Sequence, residues 1–183
     1  MRYLILIYSL TILSCGDEVV VKPNAMFMLE YQEPSYDTIA VDCPFEFLVN
    51  TEAVLKGKNN CWMNIHYPKM NATLYLSYRE VNEKRNIDSL LYDAQKLTYD
   101  HTIKAESILE QPRVDSINKV YGMFYMINGN AATQSQFYVT DSIRHFVNGS
   151  LYFDSKPNFE SLYPAVVYLR NDIRRIMESI RWK

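Results

Sequence analysis

Ala72-Thr73-Leu74-Tyr75-Leu76-Ser77-Tyr78 is the stretch on which the fold turns. Leu74, Leu76 and Tyr78 fall on one face of an extended chain and Thr73, Tyr75 and Ser77 on the other. That is the two-residue period of a strand burying one side. Runs of the same kind precede it at 26–31, 45–50 and 61–67. After it the period changes. Ile87, Leu90, Leu91, Ala94, Leu97, His101, Ala105 and Ile108 recur at three- and four-residue intervals. This predicts one long helix, with Asn86 or Asp88 at its start and Pro112 beyond its end. Strands resume at 120–127, 135–140 and 150–153, with turn signals at Asn128-Gly129-Asn130 and Asn148-Gly149. The closing segment is helical again, with Leu162, Val166, Leu169, Ile173, Ile176, Met177 and Ile180 in one stripe and Pro164 in its first turn. Strands, helix, strands, helix, with short turns inside each strand group, predict an α+β fold. Its expected form is a largely antiparallel β-sheet with two long amphipathic helices packed on it as a sandwich.

The N-terminus has another character. Met1-Arg2 is a short positive region, and Tyr3 to Leu13 form an almost unbroken apolar run. That run is shorter than the ~20 residues of a membrane-spanning helix and has the length of a signal-peptide core. It ends in Ile12-Leu13-Ser14-Cys15, which resembles the box cut by the lipoprotein signal peptidase. An aliphatic residue stands three before the cut, a small one immediately before it, and the following thiol takes the lipid. Ile12 replaces the more usual Leu. The expected organisation is a lipoprotein signal peptide at 1–14, a lipidated Cys15 with a tether at 15–25, and a single globular α+β domain at 26–183. Acyl chains on Cys15 would hold the domain to a membrane at roughly 0.8 kcal/mol per buried CH₂. It would face the periplasm, with inner and outer membrane both compatible.

Cys43 and Cys61 remain. In an exported chain a pair of spare cysteines suggests a disulfide, formed if a hairpin of the strands near 45–50 and 61–67 sets them opposite each other. Two free buried thiols are the other reading. The composition, 48% apolar and 22% charged with five Gly, is that of a globular protein. Fifteen Tyr suit half-buried strands and contact surfaces. A net charge of −2 without any Lys/Arg run argues against a nucleic-acid partner.

Little in the chain points to catalysis. His101, directly after Asp100, sits on the stripe of the first predicted helix. It reads as a general base or ligand, or, preferably, as a core histidine with one hydrogen bond. His66 and His145 lack metal-like spacing, and no nucleophile elbow, phosphate loop or paired Cys-x-x-Cys occurs. No catalytic residue, metal or cofactor is expected. The segment 129–141 crowds Asn130, Thr133, Gln134, Ser135 and Gln136 ahead of an apolar strand, with Arg144 nearby. Such groups form either a recognition surface for sugar or peptide, or internal glue. Asp-Ser/Thr-aliphatic occurs at 37–39, 88–90, 115–117 and 141–143, where composition predicts fewer than one. It resembles the O-glycosylation acceptor of exported Bacteroidetes proteins, with Thr38, Ser116 and Ser142 as acceptors in expected turns.

Several stretches together resemble the GldD family of gliding-motility lipoproteins. They are Ser14-Cys15-Gly16-Asp17, Asn60-Cys61-Trp62, Tyr67-Pro68-Lys69, Asp93-Ala94-Gln95-Lys96-Leu97-Thr98-Tyr99 and Val120-Tyr121-Gly122-Met123-Phe124-Tyr125. The segment 129–141, Gly149-Ser150-Leu151-Tyr152-Phe153, Lys156-Pro157-Asn158-Phe159, Asn171-Asp172-Ile173-Arg174 and Trp182-Lys183 continue it in collinear order. The resemblance implies a Bacteroidetes cell-envelope protein required for gliding and for the associated type IX secretion machinery. It implies no catalytic residues, and partners among other gliding envelope proteins, including the integral-membrane GldE. A peptidoglycan- or glycan-binding module is the alternative. An enzyme using Asp100, His101 and a hydroxyl near Ser135 ranks below both.

Overall fold

The computed structural model describes residues 31–39, 41–59, 61–83 and 86–183. The signal segment 1–14, Cys15 with its tether, and all but the last residue of the expected strand 26–31 lie outside the described residues. Within them the chain forms β1 (Tyr36–Thr38), β2 (Phe45–Glu46), β3 (Leu48–Asn50), β4 (Val54–Asn59), β5 (Trp62–Tyr67) and β6 (Ala72–Glu80). Helix α1 (Ile87–Tyr99) follows, then β7 (Ala105–Asp115), β8 (Val120–Gly129), β9 (Thr133–Thr140) and β10 (His145–Phe153). Helix α2 (Phe159–Ser179) and β11 (Arg181–Trp182) complete it. This is an α+β fold built mainly of antiparallel sheet, as the sequence pattern predicts.

Seven strands make one sheet in the order β4-β5-β6-β10-β9-β8-β7. Two meanders, β4 to β6 and β7 to β10, join where β10 pairs antiparallel with β6. The alternation at 72–78 holds. Leu74 and Leu76 are buried in one face of the sheet, joined there by Met63, Ile65, Val139, Val147 and Leu151. From α2, Leu169, Ile173, Ile176 and Met177 close over this face. The segment from Val41 to Val49 adds Phe45 and Phe47, bonded first to β11 and then to β1. On the opposite face α1 crosses from the β6 side toward β7, setting Leu90 with Tyr125, Tyr138 and Phe146. Each apolar side chain buried this way contributes roughly 1.5–3 kcal/mol before entropy is charged against it.

The first helix is shorter than its spacing predicts. Asn86 caps it by accepting from the Ser89 amide at 2.8 Å, but it ends at Tyr99. A 3-10 turn over Asp100–Ile103 leads into β7. His101, Ala105 and Ile108 keep helical intervals by coincidence. Thr102 and Ile103 are β-branched, and from Ala105 the backbone bonds to β8 instead. Asn148-Gly149 is not a turn but the middle of β10. A side chain at Gly149 would overlap the Phe137 ring, so glycine here serves packing. Gly149→Ala is expected to lower stability by about 2 kcal/mol through overpacking, read from the urea midpoint. Pro164 stands in the second turn of α2 rather than the first.

Cys43 and Cys61 form a disulfide with Cα atoms 5.7 Å apart. The expected hairpin does not make it. β5 pairs with β4 and β6, while the 45–50 segment lies over the sheet on the α2 side. The bridge therefore ties that layer to the start of β5, and closing its loop contributes about 3 kcal/mol in the chain-entropy picture.

Candidate functional site

The polar segment 129–141 is spent on the inside. Thr133, Gln134, Ser135 and Gln136 are all buried. The Thr133 hydroxyl donates to the Leu151 carbonyl, and Gln134 Nε2 donates to the carbonyls of Gly129 and Ala131 at 3.3 and 2.9 Å. Gln136 accepts from the Thr98 hydroxyl at 2.7 Å on the α1 side. Asn130 is exposed, yet its Oδ1 accepts from the Phe159 amide at 2.9 Å and helps start α2. Arg144 is exposed in the β9–β10 turn. The recognition reading of Thr133, Gln134, Ser135 and Gln136 therefore gives way to the other one, internal glue for a central strand.

His101 is part of the same interior. Because Gln136 Oε1 accepts from Thr98, its Nε2 is left to donate to His101 Nε2 at 3.3 Å. That requires an unprotonated acceptor nitrogen. It agrees with the direction of the His101 pKa, which burial lowers against the opposing charge of Asp100. Ser135 follows the alternation of β9 onto the opposite face, its hydroxyl buried without a partner. Asp100, His101 and Ser135 are thus not brought together. No three His, Cys, Asp or Glu side chains converge as a metal site among the described residues.

Thr38, Ser116 and Ser142 are exposed; Ser116 and Ser142 lie in turns as expected, whereas Thr38 is the last residue of β1, paired with Leu48. In two of the repeated tripeptides the aspartate has a turn-building job. Asp141 Oδ1 accepts from the amides of Ile143, Arg144 and His145 at 3.0, 2.8 and 2.8 Å. Burial pushes the Asp141 carboxyl up, but these bonds leave it below the ordinary range. Asp115 accepts from the Asn118 amide at 3.1 Å in the β7–β8 turn.

Two features escaped the sequence pattern. The first is a buried carboxylate. Asp172 lies on the inward stripe of α2, 1% exposed. The Tyr67 hydroxyl donates to its Oδ2, and Asn50 Nδ2 donates to its Oδ1 at 3.0 Å and to the Tyr168 hydroxyl oxygen at 3.0 Å. Burial raises the Asp172 pKa despite the hydrogen bonds from Tyr67, Tyr36 and Asn50, and Tyr67 is raised by the same burial and by the Asp172 charge. A carboxylate three residues after Leu169 and four before Ile176 was the available signal.

The second is an open surface. Because α1 covers only the β10–β8 part of its face, with Ala94 and Leu97 over Asn148 and Ser150, the outward positions of β5 and β6 are left without a helix above them. Register places Trp62, Ser77 and Asn148 in one row, Asn64, Tyr75 and Ser150 in the next, and His66, Thr73 and Tyr152 in a third. Thr73 and Ser150 among these nine are buried, and the charged Lys56, opposite Asn64, and Arg79, two residues beyond Ser77, share the face. Trp62 is 52% and Tyr75 46% exposed. Trp62 Nε1 donates to the Tyr78 carbonyl at 3.3 Å, and the Arg79 guanidinium lies 5.4 Å from its ring centroid. Tyr75 and Tyr152 meet edge to face at 5.8 Å. At one end the surface runs into a cavity of about 120 Å³ beneath α1, lined by Arg79, Leu90, Asp93, Ala94, Leu97, Phe146 and Asn148.

No helix among the described residues is long and apolar enough to cross a membrane. Comparison with curated proteins finds no match. The sequence model of the gliding motility lipoprotein GldD matches residues 16–182, from the position after Cys15 almost to the last residue, and the protein belongs to that family.

Proposed function

We propose that the protein is a lipid-anchored component of the cell envelope, held by Cys15 with its folded part facing the periplasm. It acts by contact with other proteins in gliding motility and in the associated type IX secretion machinery. The family match across residues 16–182 carries this reading, since a lipoprotein family supplies both the anchor and the process. The described residues fit it. Thr133 and Gln136 of the polar segment are tied up in internal bonds, and His101, half-buried, accepts from Gln136. The partners are other gliding envelope proteins, with the integral-membrane GldE as the first to examine.

Crosslinking in living cells, followed by mass spectrometry of what is joined to the protein, tests the partner directly. Cys15→Ser is expected to leave the domain folded, to release it from the membrane fraction and to abolish gliding. His101→Gln, which keeps a side chain able to accept from Gln136, is expected to retain gliding. Full motility from the unanchored Cys15→Ser protein would remove the anchored reading. Complete functional loss in a well-folded His101→Gln protein would revive the enzymatic one.

A further inference from the structure

Helix α1 does not meet the sheet evenly. Leu90 packs with Phe146, Tyr125 and Tyr138, but toward β6 the cavity of about 120 Å³ stays open between helix and strands. Leu90, Asp93, Ala94 and Leu97 recur at three- and four-residue intervals, so one flank of α1 forms its roof. Register sets Phe146 opposite Arg79 and Asn148 opposite Ser77 beneath it. Three polar groups border this space, and each has bonding capacity left. The exposed Asp93 side chain makes no ion pair or hydrogen bond among the described residues. The Arg79 guanidinium lies 5.4 Å from the Trp62 ring centroid, and its N–H groups meet no acceptor oxygen among the described residues. Asn148 accepts from Ser77 through Oδ1 at 2.6 Å, so its Nδ2 still has hydrogens to donate. Base and acid thus border one cavity without pairing across it.

We propose that this cavity binds a free α-amino acid with a small aliphatic side chain. Arg79 and Asn148 Nδ2 donate to its α-carboxylate, Asp93 accepts from its α-ammonium, and the side chain lies against Leu90, Leu97 and Phe146. Charge complementarity selects the class. A simple anion meets the like charge of Asp93 and a simple cation that of Arg79, whereas a zwitterion satisfies both. The apolar wall asks for a hydrocarbon branch beside the two charges. An α-carbon supplies that branch, and a zwitterionic headgroup such as phosphoethanolamine lacks it. Size agrees. A space of about 120 Å³ corresponds to roughly four waters at ~30 Å³ each. A small aliphatic amino acid fits, and a peptide or a nucleotide does not. Arg79 is already steadied by the Trp62 ring, so less side-chain entropy is lost when the carboxylate arrives. Contacts at three different points also make the site chiral, so it distinguishes the two enantiomers of its ligand.

The test is calorimetric titration of the full lipid-modified protein in detergent with L-valine, D-valine, isovalerate, isobutylamine and phosphoethanolamine. One valine enantiomer should bind better than the other. Isovalerate lacks the ammonium, isobutylamine the carboxylate and phosphoethanolamine the branch, and each should bind at least tenfold more weakly. Asp93→Asn should weaken valine about tenfold, the equivalent of ~1.4 kcal/mol, without weakening isovalerate. Asp93 is exposed and makes no internal bond, so this variant keeps its fold. Ala94→Met, which fills the cavity, should abolish valine binding while the melting curve shows a folded protein. No binding of either enantiomer at millimolar concentration overturns the proposal. So does valine binding indifferent to Asp93→Asn, or binding of a singly charged analogue as tight as that of valine. Preference for phosphoethanolamine overturns it in favour of a lipid headgroup, and equal affinity for the enantiomers overturns the three-point contact. None of these outcomes bears on whether crosslinked protein partners exist, so this site and the proposed function fail separately.

Discussion

Asp172→Ala is expected to destabilise the protein by about 4 kcal/mol, a fall in Tm on the order of 10 °C for a chain of this size. The substitution deletes the acceptor that Tyr67 and Asn50 share, leaving the buried Tyr67 hydroxyl without its acceptor and one hydrogen of Asn50 Nδ2 unpaired beside the bond that nitrogen keeps to Tyr168. Each such orphan costs roughly 1–3 kcal/mol. Three parts of the fold meet at this carboxyl: α2 through Asp172, β5 through Tyr67 and β3 through Asn50. Asp172→Asn behaves differently because it keeps the shape and removes the charge. The folded pKa of Asp172 lies above its unfolded value, with burial as the main cause. The group's contribution is therefore full below the ordinary carboxylate range, about pH 4, and is lost as pH rises through the raised folded value. Relative to the wild type, Asp172→Asn should gain stability as pH is raised toward neutrality. Urea unfolding of both proteins between pH 4 and 8 measures the gap. Parallel curves over that range would show that the carboxyl is not strained by its burial.

How much of this was legible beforehand depends on what each residue's neighbours in sequence reveal. Leu74 and Leu76 declare their face because the strand that buries them is itself contiguous. α2 was legible for the same reason, six apolar positions in one stripe, with Ile180 continuing it just past the helix end. β7 was not. Its residues Ile108 and Glu110 alternate toward β8, which lies later in the chain, while a helical interval ran straight into them from α1. Gly149 misled because glycine signals a turn locally, and only the Phe137 ring on the neighbouring strand gives the true reason for it. The 129–141 segment was recognised as unusual, but whether its amides face solvent or helix depends on where α1 and α2 lie. The open grid is legible only after register is known. Trp62, Tyr75 and Tyr152 are far apart in sequence and become neighbours through two strand pairings.

Arg170→Met should destabilise by about 3 kcal/mol and should loosen one region before the rest. One Arg170 Nη nitrogen donates to the Ile127 carbonyl at 2.9 Å, to Asn128 Oδ1 at 2.9 Å and to the Gln134 carbonyl at 3.2 Å. Its Nε donates again to Gln134 at 3.4 Å. The guanidinium also sits 5.8 Å from the Phe159 ring centroid, at the start of its own helix. No carboxylate among the described residues pairs with it, and burial lowers its pKa, so these oxygens rather than an opposite charge hold it in place. They belong to the two strands flanking the β8–β9 turn, so one side chain closes that turn onto α2. Met preserves the packing of the stem and removes the donors, and amide exchange across 129–134 should accelerate more than exchange elsewhere. Lys tests the geometry, because a single ammonium on a flexible stem does not span the oxygens a planar fork reaches. Arg170→Lys is therefore expected to resemble Arg170→Met. Wild-type stability and exchange in the lysine protein would show that positive charge alone, not the guanidinium fork, fastens the turn.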